Sequence, residues 1–177
     1  MELTEHERRF VLHWGEMGGR WGVNRTVAQI HALLFIVARP LPAEVIAETL
    51  EVARSNVSNS LKELQGWNLI RLSHVMGDRR DHYETSGDVW ELFRTIVRGR
   101  KQREIDPTVA VLRELCDAPG FAKESPEFRK RVAGTLDFLE VLTAWSDEML
   151  RLPPDTLAKI LKTGAGVQKL LRKSAAK

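Results

Sequence analysis

The stretch RSNVSNSLKELQG, residues 54–66, decides the fold. Val57, Leu61 and Leu64 recur four and three positions apart, and this spacing predicts a helix with one buried face. The opposite face is short, polar and mostly uncharged, unlike a helix face that meets only solvent. Asparagine can pair with adenine in the major groove, and serine and lysine can reach phosphates or guanine. The face therefore predicts DNA contacts at Ser55, Asn56, Ser58, Asn59 and Lys62, although capping and solubility would also favour Ser and Asn here.

A short helix precedes this stretch and a hairpin follows it. Pro42 is expected to open the short helix, which turns Val45, Ile46, Thr49 and Leu50 inward. Gly66 is the expected stop of the helix at residues 54–66. Residues 69–75 and 81–85 are then predicted to pair as the only β-structure of the chain. Two helices joined by a tight turn and followed by a hairpin predict a winged helix-turn-helix.

The tip of the hairpin reads Gly77-Asp78-Arg79-Arg80. Guanidinium groups on a rigid ribbon can enter a narrow minor groove or hold phosphates, so Arg79 and Arg80 are candidate DNA contacts. Asp78 and Asp81 flank them and are candidates to hold one arginine in place. The alternative interpretation is a charged tip that only meets solvent.

Helical patterns flank this module on both sides. Thr4 and Glu7 form a capping box that opens a first helix, which is expected to loosen near Gly18 and Gly19. The second helix is expected to run from Asn24–Thr26 to Arg39. Asp106-Pro107 and Ser125-Pro126 are expected to cap further helices, and the last pair opens an apolar seam from Val132 to Met149. A final helix is expected after Pro153-Pro154, with Leu157, Ile160, Leu161, Val167, Leu170 and Leu171 on its apolar face.

The seam is longer than a small domain needs, which favours a homodimer. The chain is accordingly expected to be mainly α with a small β-hairpin wing. Three regions are predicted: an N-terminal dimerisation helix at 1–23, a winged helix-turn-helix at 24–86, and a helical dimerisation region at 87–177.

Composition narrows the class of protein. Apolar residues make up 43% of the chain and charged residues 29%, a globular balance, and the formal net charge is only +3. The longest unbroken apolar run is Ala32–Ala38, which is too short to cross a membrane. The acid-rich N-terminus differs from a secretory signal, and a single cysteine fits a reducing compartment, so a cytoplasmic location without membrane attachment is expected.

The stretch from Leu41 to Thr85 resembles the MarR superfamily, in particular its GbsR-like branch. The resemblance rests on residues 43–50, 55–64, 66–71 and 77–83. It implies a homodimer that regulates transcription, a wing tipped by Arg79, and a recognition helix from about Arg54 to Gln65, which adds Arg54 to the candidate contacts. The chain departs from the family at Ala53, where Ser or Thr is usual. Alanine forfeits a side-chain cap of about 1 kcal/mol, so the start of the helix is left open, as is which of Arg54 and Ser55 faces DNA.

Other candidate sites lie outside the hairpin and its helices. Arg98, Arg100 and Lys101 belong to a basic run that either reaches flanking phosphates or forms a solvated face. Trp14 and Trp21 are candidates for an effector pocket, because aromatic rings can enclose a quaternary ammonium and some relatives sense choline-like ligands. Cys116 lies on an apolar helix face and is interpreted as a small hydrophobe rather than a redox sensor.

The sequence contains no motif of an enzyme and none that implies a cofactor. His74 and His82 lie on opposite arms of the hairpin, but two imidazoles without a third ligand make a poor metal site. The main rival interpretation is a winged helix that binds another protein. Such a module would carry apolar residues at position 59 and at the wing tip, where this chain has Asn59 and arginines.

Overall fold

A computed structural model of the chain describes residues 1–157, 159, 160 and 163. It confirms a mainly helical protein with a small three-stranded antiparallel sheet, arranged as a winged helix-turn-helix. The chain divides into two compact units, Met1–Gly99 and Arg100–Lys177. The first unit contains the helix-turn-helix and its wing.

Two N-terminal helices form the base of the first unit. α1 spans Glu5–Arg20 and begins at the predicted capping box, in which the Thr4 N–H donates to the Glu7 carboxylate at 2.8 Å. α2 spans Arg25–Val37, and the Asn24 side chain caps it by accepting from the Thr26 N–H at 2.8 Å. α2 ends two residues before Arg39, where it was expected to end, because Ala38 adopts the left-handed conformation with φ 53°.

Glycines let α1 and α2 approach closely. Gly15 and Gly18 are buried, and a Cβ on Gly18 would collide with the Cβ of Ala28. Helix α1 continues through Gly18 and Gly19, so the expected loosening there is wrong. It ends at Arg20, and Gly22, two residues later, has a φ of 77° that favours glycine.

The core lies between α2 and the next two helices. A two-residue strand β1, Leu41–Pro42, leads into α3 at Ala43–Leu50, and α4 follows at Arg54–Gly66. The predicted inward residues of α4, Val57, Leu61 and Leu64, are buried, which confirms the helical phase. Fully buried partners from α2, β1 and α3 surround them: Ile30, Leu33, Leu34, Leu41 and Ile46.

The sheet contains one strand more than predicted. β2 spans Arg71–Ser73 and β3 spans His82–Glu84, and the strand order is β1-β3-β2. In the added pair, Leu41 lies opposite Tyr83 and Pro42 opposite His82. Pro42 therefore belongs to an edge strand, where its missing N–H does no harm, and stands just before α3.

The remaining helices begin with α5 at Val89–Arg100. A π-helical turn, Lys101–Ile105, leads into α6 at Asp106–Asp117, and a 3₁₀ turn at Phe121–Lys123 precedes α7 at Pro126–Arg151. Ser125 caps α7 as predicted, accepting from the Phe128 N–H at 3.2 Å. Asp106 does not cap α6, because the π-turn leads into it with helical backbone angles. Residues 154–157, 159, 160 and 163 are helical, whereas Leu161, Val167, Leu170 and Leu171 lie outside the described residues.

Candidate DNA interface

The outer face of α4 presents the residues expected to meet DNA. The side chains on this face are exposed: Arg54, Ser55, Asn56, Ser58, Asn59 and Lys62. Ser60, in contrast, is buried with 5% of its surface exposed. Because Val57, Leu61 and Leu64 fix the inner face, the outer side chains keep one direction relative to the core.

Both ends of α4 are set by left-handed residues. Before α4, Glu51 has φ 56° and the Val52 N–H donates to the Ala47 carbonyl at 3.1 Å, which makes the tight turn. After α4, Asn68 has φ 57° and the Leu69 N–H donates to the Leu64 carbonyl at 3.0 Å. Asn68 rather than Gly66 is therefore the left-handed stop, since asparagine tolerates this conformation.

The start of α4 is now defined. The helix begins at Arg54 with Ala53 as its N-cap, and Ala53 provides no side-chain hydrogen bond. The first turn contains no acidic residue. The first turn of α4 thus has free N–H groups and the positive end of the helix dipole. No acidic side chain of that turn offsets this positive charge.

Asp78 organises the wing tip. Val75 to Asp78 form a turn, closed by the Asp78 N–H donating to the Val75 carbonyl at 3.1 Å, with Gly77 at φ 83°. The Asp78 carboxylate accepts from the backbone N–H and the Nε of Arg80, both at 3.0 Å, and from its Nη2 at 2.5 Å. These bonds hold the pKa of Asp78 far below its ordinary value and raise that of Arg80.

The two tip arginines therefore differ. Arg80 is held in a fixed direction by Asp78, although half of its side chain is exposed. Arg79 is exposed, and no hydrogen bond or ion pair joins it to the part of the chain that the structure describes. The buried ring of His82 lies behind them, with Nδ1 2.8 Å from the Arg80 carbonyl and Nε2 3.4 Å from the Asp78 carboxylate. The expectation that Asp78 or Asp81 holds one arginine is fulfilled by Asp78.

The base of the wing is fastened to the core. The Thr85 hydroxyl donates to the Leu69 carbonyl at 2.7 Å and lies 3.3 Å from Nε2 of His31 on α2. Burial lowers the pKa of His31 to about 4. Across the hairpin, Arg71 pairs with Glu84 at 2.8 Å. The contact between His31 and Thr85 is not apparent from the sequence, because no local pattern links the two residues.

The basic run after the wing is partly neutralised. Lys101 lies 2.9 Å from Asp106 and 3.3 Å from Asp147, which raises its pKa. Arg100 lies 3.5 Å from Glu104, and Arg98 is exposed. Arg100 and Lys101 therefore lie beside carboxylates.

Trp14 and Trp21 are neighbours on the surface of the first unit. Their ring centroids are 6.3 Å apart in an edge-on arrangement, and Phe10 stacks on Trp14 at 5.4 Å. Trp14 packs against the core, whereas 53% of Trp21 is exposed. The rings of Trp14 and Trp21 thus lie side by side, and the effector pocket stays a prediction.

Among the residues that the structure describes, no three His, Cys, Asp or Glu side chains are grouped so that they could hold a metal ion. None of their helices combines the length and the apolar character that a membrane span requires. His74 is exposed while His82 is buried, and Cys116 is half-buried.

Comparisons with known proteins identify the central segment. A family model described as MarR family matches residues 21–81, which include α2, α3, α4 and the wing tip. The match covers about a third of the chain. No curated protein matches the chain.

Solved structures support the fold. A crystal structure of a transcriptional regulator is 20% identical, with a TM-score of 0.64, over 89% of this chain and 99% of that one. ZitR of Lactococcus lactis, described as a zinc-responsive MarR family member, is 25% identical over 69% of this chain and 75% of its own, with a TM-score of 0.33. ZitR in complex with DNA is 22% identical over 65% and 71%, with a TM-score of 0.29. The first structure shares the fold, while the ZitR superpositions are too poor to extend the comparison.

Proposed function

We propose that this chain is a transcriptional regulator of the MarR family that binds double-stranded DNA through α4 and the wing. The observation that carries the proposal is the exposed, short and polar face of α4, placed in a winged helix whose central segment matches that family. A recognition helix needs short side chains to approach base edges, and a wing needs cations to reach the backbone or the minor groove.

Each element has a distinct role in this proposal. Asn59 and its neighbours on α4 contact bases in the major groove, and the N-terminal turn at Arg54 lies near a phosphate. Arg79 and Arg80 contact the minor groove or its phosphates, with Arg80 aimed by Asp78. Arg98, Arg100 and Lys101 of the basic run contact flanking phosphates in this proposal.

The regulator acts as a homodimer in this proposal, with regions 1–23 and 87–177 joining the two copies. Apolar side chains exposed in single copies support this: Val89, Phe93 and Ile96 on α5, and Phe138, Val141, Leu142 and Trp145 on α7. A two-fold dimer would bind a DNA site with two similar halves. In this proposal the protein belongs to the GbsR-like branch and acts in the cytoplasm without enzymatic activity. A small-molecule effector would bind near Trp14 and Trp21.

The test separates reading of bases from holding of the backbone. Duplexes that bind are first selected from a random pool. Asn59→Ala should then weaken binding to the selected duplex by about 1 to 3 kcal/mol and leave binding to arbitrary DNA nearly unchanged. Replacing Arg79 and Arg80 together by Ala should weaken binding to every duplex and flatten the salt dependence by about one to two units of slope per subunit.

Arg131→Ala is the control, because Arg131 is an exposed cation on α7 that pairs with Glu127. It should change neither sequence preference nor salt dependence. The roles are misassigned if Asn59→Ala weakens all duplexes alike, or if the arginine pair alters preference at an unchanged salt slope.

One observation favours the rival function, a protein-binding wing. Met76 at the wing tip is fully exposed, and Leu72 and Val75 on the same hairpin are also exposed. If neither Asn59 nor the arginine pair affects DNA binding, this apolar wing surface makes protein binding the better interpretation.

A further inference from the structure

One hydroxyl group joins three parts of the first unit. Leu69 follows α4 and precedes β2, while Thr85 follows β3, so the two residues mark the open end of the hairpin. The Thr85 hydroxyl lies 2.7 Å from the Leu69 carbonyl and 3.3 Å from Nε2 of His31. We name this group of three residues, His31, Thr85 and Leu69, the wing anchor.

The direction of each hydrogen bond follows from the chemistry of the groups. A carbonyl oxygen only accepts, so the single hydroxyl proton of Thr85 goes to Leu69. The hydroxyl then offers a lone pair to His31, and Nε2 must carry the proton that fills it. His31 is 5% exposed, and its neutral form with hydrogen on Nε2 satisfies this arrangement.

The anchor connects the wing to the helix that supports α4. Helix α2 lies against α4 and also against β3, so His31 stands where the wing leaves the body of the unit. The wing tip is rigid by itself, because Asp78 ties Arg80 to the turn. Its direction relative to α4 depends on the base, where Thr85 lies.

We propose that His31 and Thr85 are positioning residues, which hold the wing at the angle that lets its arginines and α4 contact one duplex together. The proposal rests on the proposed function, since it assigns these residues a role in DNA binding. Neither residue needs to touch DNA. Loss of the hydroxyl would leave a buried N–H and a carbonyl without partners, and the base of the hairpin would keep only its pairing with β1.

Thr85→Val tests the anchor, because valine keeps the shape of threonine and removes the hydroxyl. Binding to all duplexes should fall about tenfold with a flatter salt dependence, as for loss of the arginines. Thr85→Ser should restore affinity to within about twofold, since serine keeps the hydroxyl. The amide of glutamine can still donate, so the affinity of His31→Gln should lie between those of Thr85→Val and Thr85→Ser. This variant also tests the wing anchor if Thr85→Val fails to fold.

A double-mutant cycle distinguishes positioning from a general loss of structure. Adding Thr85→Val to the protein without Arg79 and Arg80 should cause no further loss of affinity, because the wing no longer contributes cations. If the two effects multiply, Thr85 does not act through the wing and the proposal is overturned.

A measurement without DNA separates this proposal from the proposed function. Amide hydrogen exchange in β2 and β3 should become faster in Thr85→Val and stay as in the unaltered protein in Thr85→Ser. The ¹⁵N shifts of His31 should report hydrogen on Nε2. If the protein binds no duplex but exchange in the hairpin is faster in Thr85→Val, the wing anchor stands as a structural contact and its role in DNA binding fails. If exchange in Thr85→Val is unchanged, the wing anchor itself is overturned.

Discussion

His31 and His82 are buried histidines with different surroundings. His82 lies between the Arg80 carbonyl and the Asp78 carboxylate, both on its own hairpin. His31 comes from the core helix α2 and contacts a neutral hydroxyl. Burial makes an imidazole resist protonation, and it lowers the pKa of His31 in this way.

His31 makes the stability of the protein depend on pH. Its pKa is about 4 in the folded protein and 6.5 in a free chain, because burial disfavours the charged form. The stabilisation is thus fully present above pH 6.5 and is lost as the pH falls to about 4. A shift of this size corresponds to about 3 kcal/mol.

Urea unfolding at several pH values between 7 and 4.5 measures this effect. His31→Gln should be less stable than the unaltered protein at pH 7, but its stability should fall by about 2 kcal/mol less over this range. Equal losses in both proteins would show that His31 is not the group that titrates.

At the scale of elements, the contact between α1 and α2 depends on Gly18. A side chain there meets the Cβ of Ala28, whereas nothing lies within 4 Å of a Cβ placed on Gly19. The two glycines are adjacent in one helix and so form a matched pair. Gly18 allows close packing, while Gly19 only weakens the helix.

Alanine substitutions should therefore act in opposite directions. Gly18→Ala should lower the free energy of unfolding by about 1 to 3 kcal/mol, because the helices must move apart. Gly19→Ala should raise it by about 0.5 to 1 kcal/mol through helix propensity. Thermal melting of both variants provides the comparison, and a stabilised Gly18→Ala protein would contradict the close contact.

Elements with a regular pattern were predictable from the sequence. The spacing of Val57, Leu61 and Leu64 gave the phase of α4, and the outward residues then followed from helix geometry. Strand β1 was missed because two residues, Leu41 and Pro42, show no alternation. The stop at Asn68 and the π-turn were missed because helix ends depend on single residues that tolerate unusual backbone angles.

In the candidate site, too, contacts between sequence neighbours were predictable and contacts between distant residues were not. Arg79 and Arg80 and the partner Asp78 are close in sequence, so their relation could be predicted. His31 and Thr85 are 54 positions apart, and a histidine inside an apolar helix gives no indication of a distant hydroxyl. This contact depends on how α2 packs against the wing, and the periodicity of the sequence does not predict that packing.

At the scale of the whole molecule, α7 leaves an apolar stripe exposed. Phe138, Val141, Leu142 and Trp145 lie three and four positions apart and share one face. An unpaired stripe of this kind is unfavourable in water and is typical of an interface. The proposed homodimer would cover it.

Light scattering tests the dimer. The protein should have about twice the mass of 20.1 kDa at micromolar concentration. Replacing Phe138 and Trp145 together by Glu should lower the measured mass towards that of a monomer. Arg131→Glu, at an exposed position of the same helix, should leave the mass unchanged. A clean monomer that still binds DNA tightly would contradict the proposed assembly.

The pairing of β1 with β3 also has a consequence for the order of folding. The hairpin of β2 and β3 joins neighbours in sequence, but the contact between Leu41 and Tyr83 closes a loop that contains α3, α4 and β2. Closing a long loop costs entropy that only the finished core repays. We therefore expect the hairpin to form early and β1 to join it after the transition state. Weakening this last strand pair would then speed unfolding and leave the rate of folding almost unchanged.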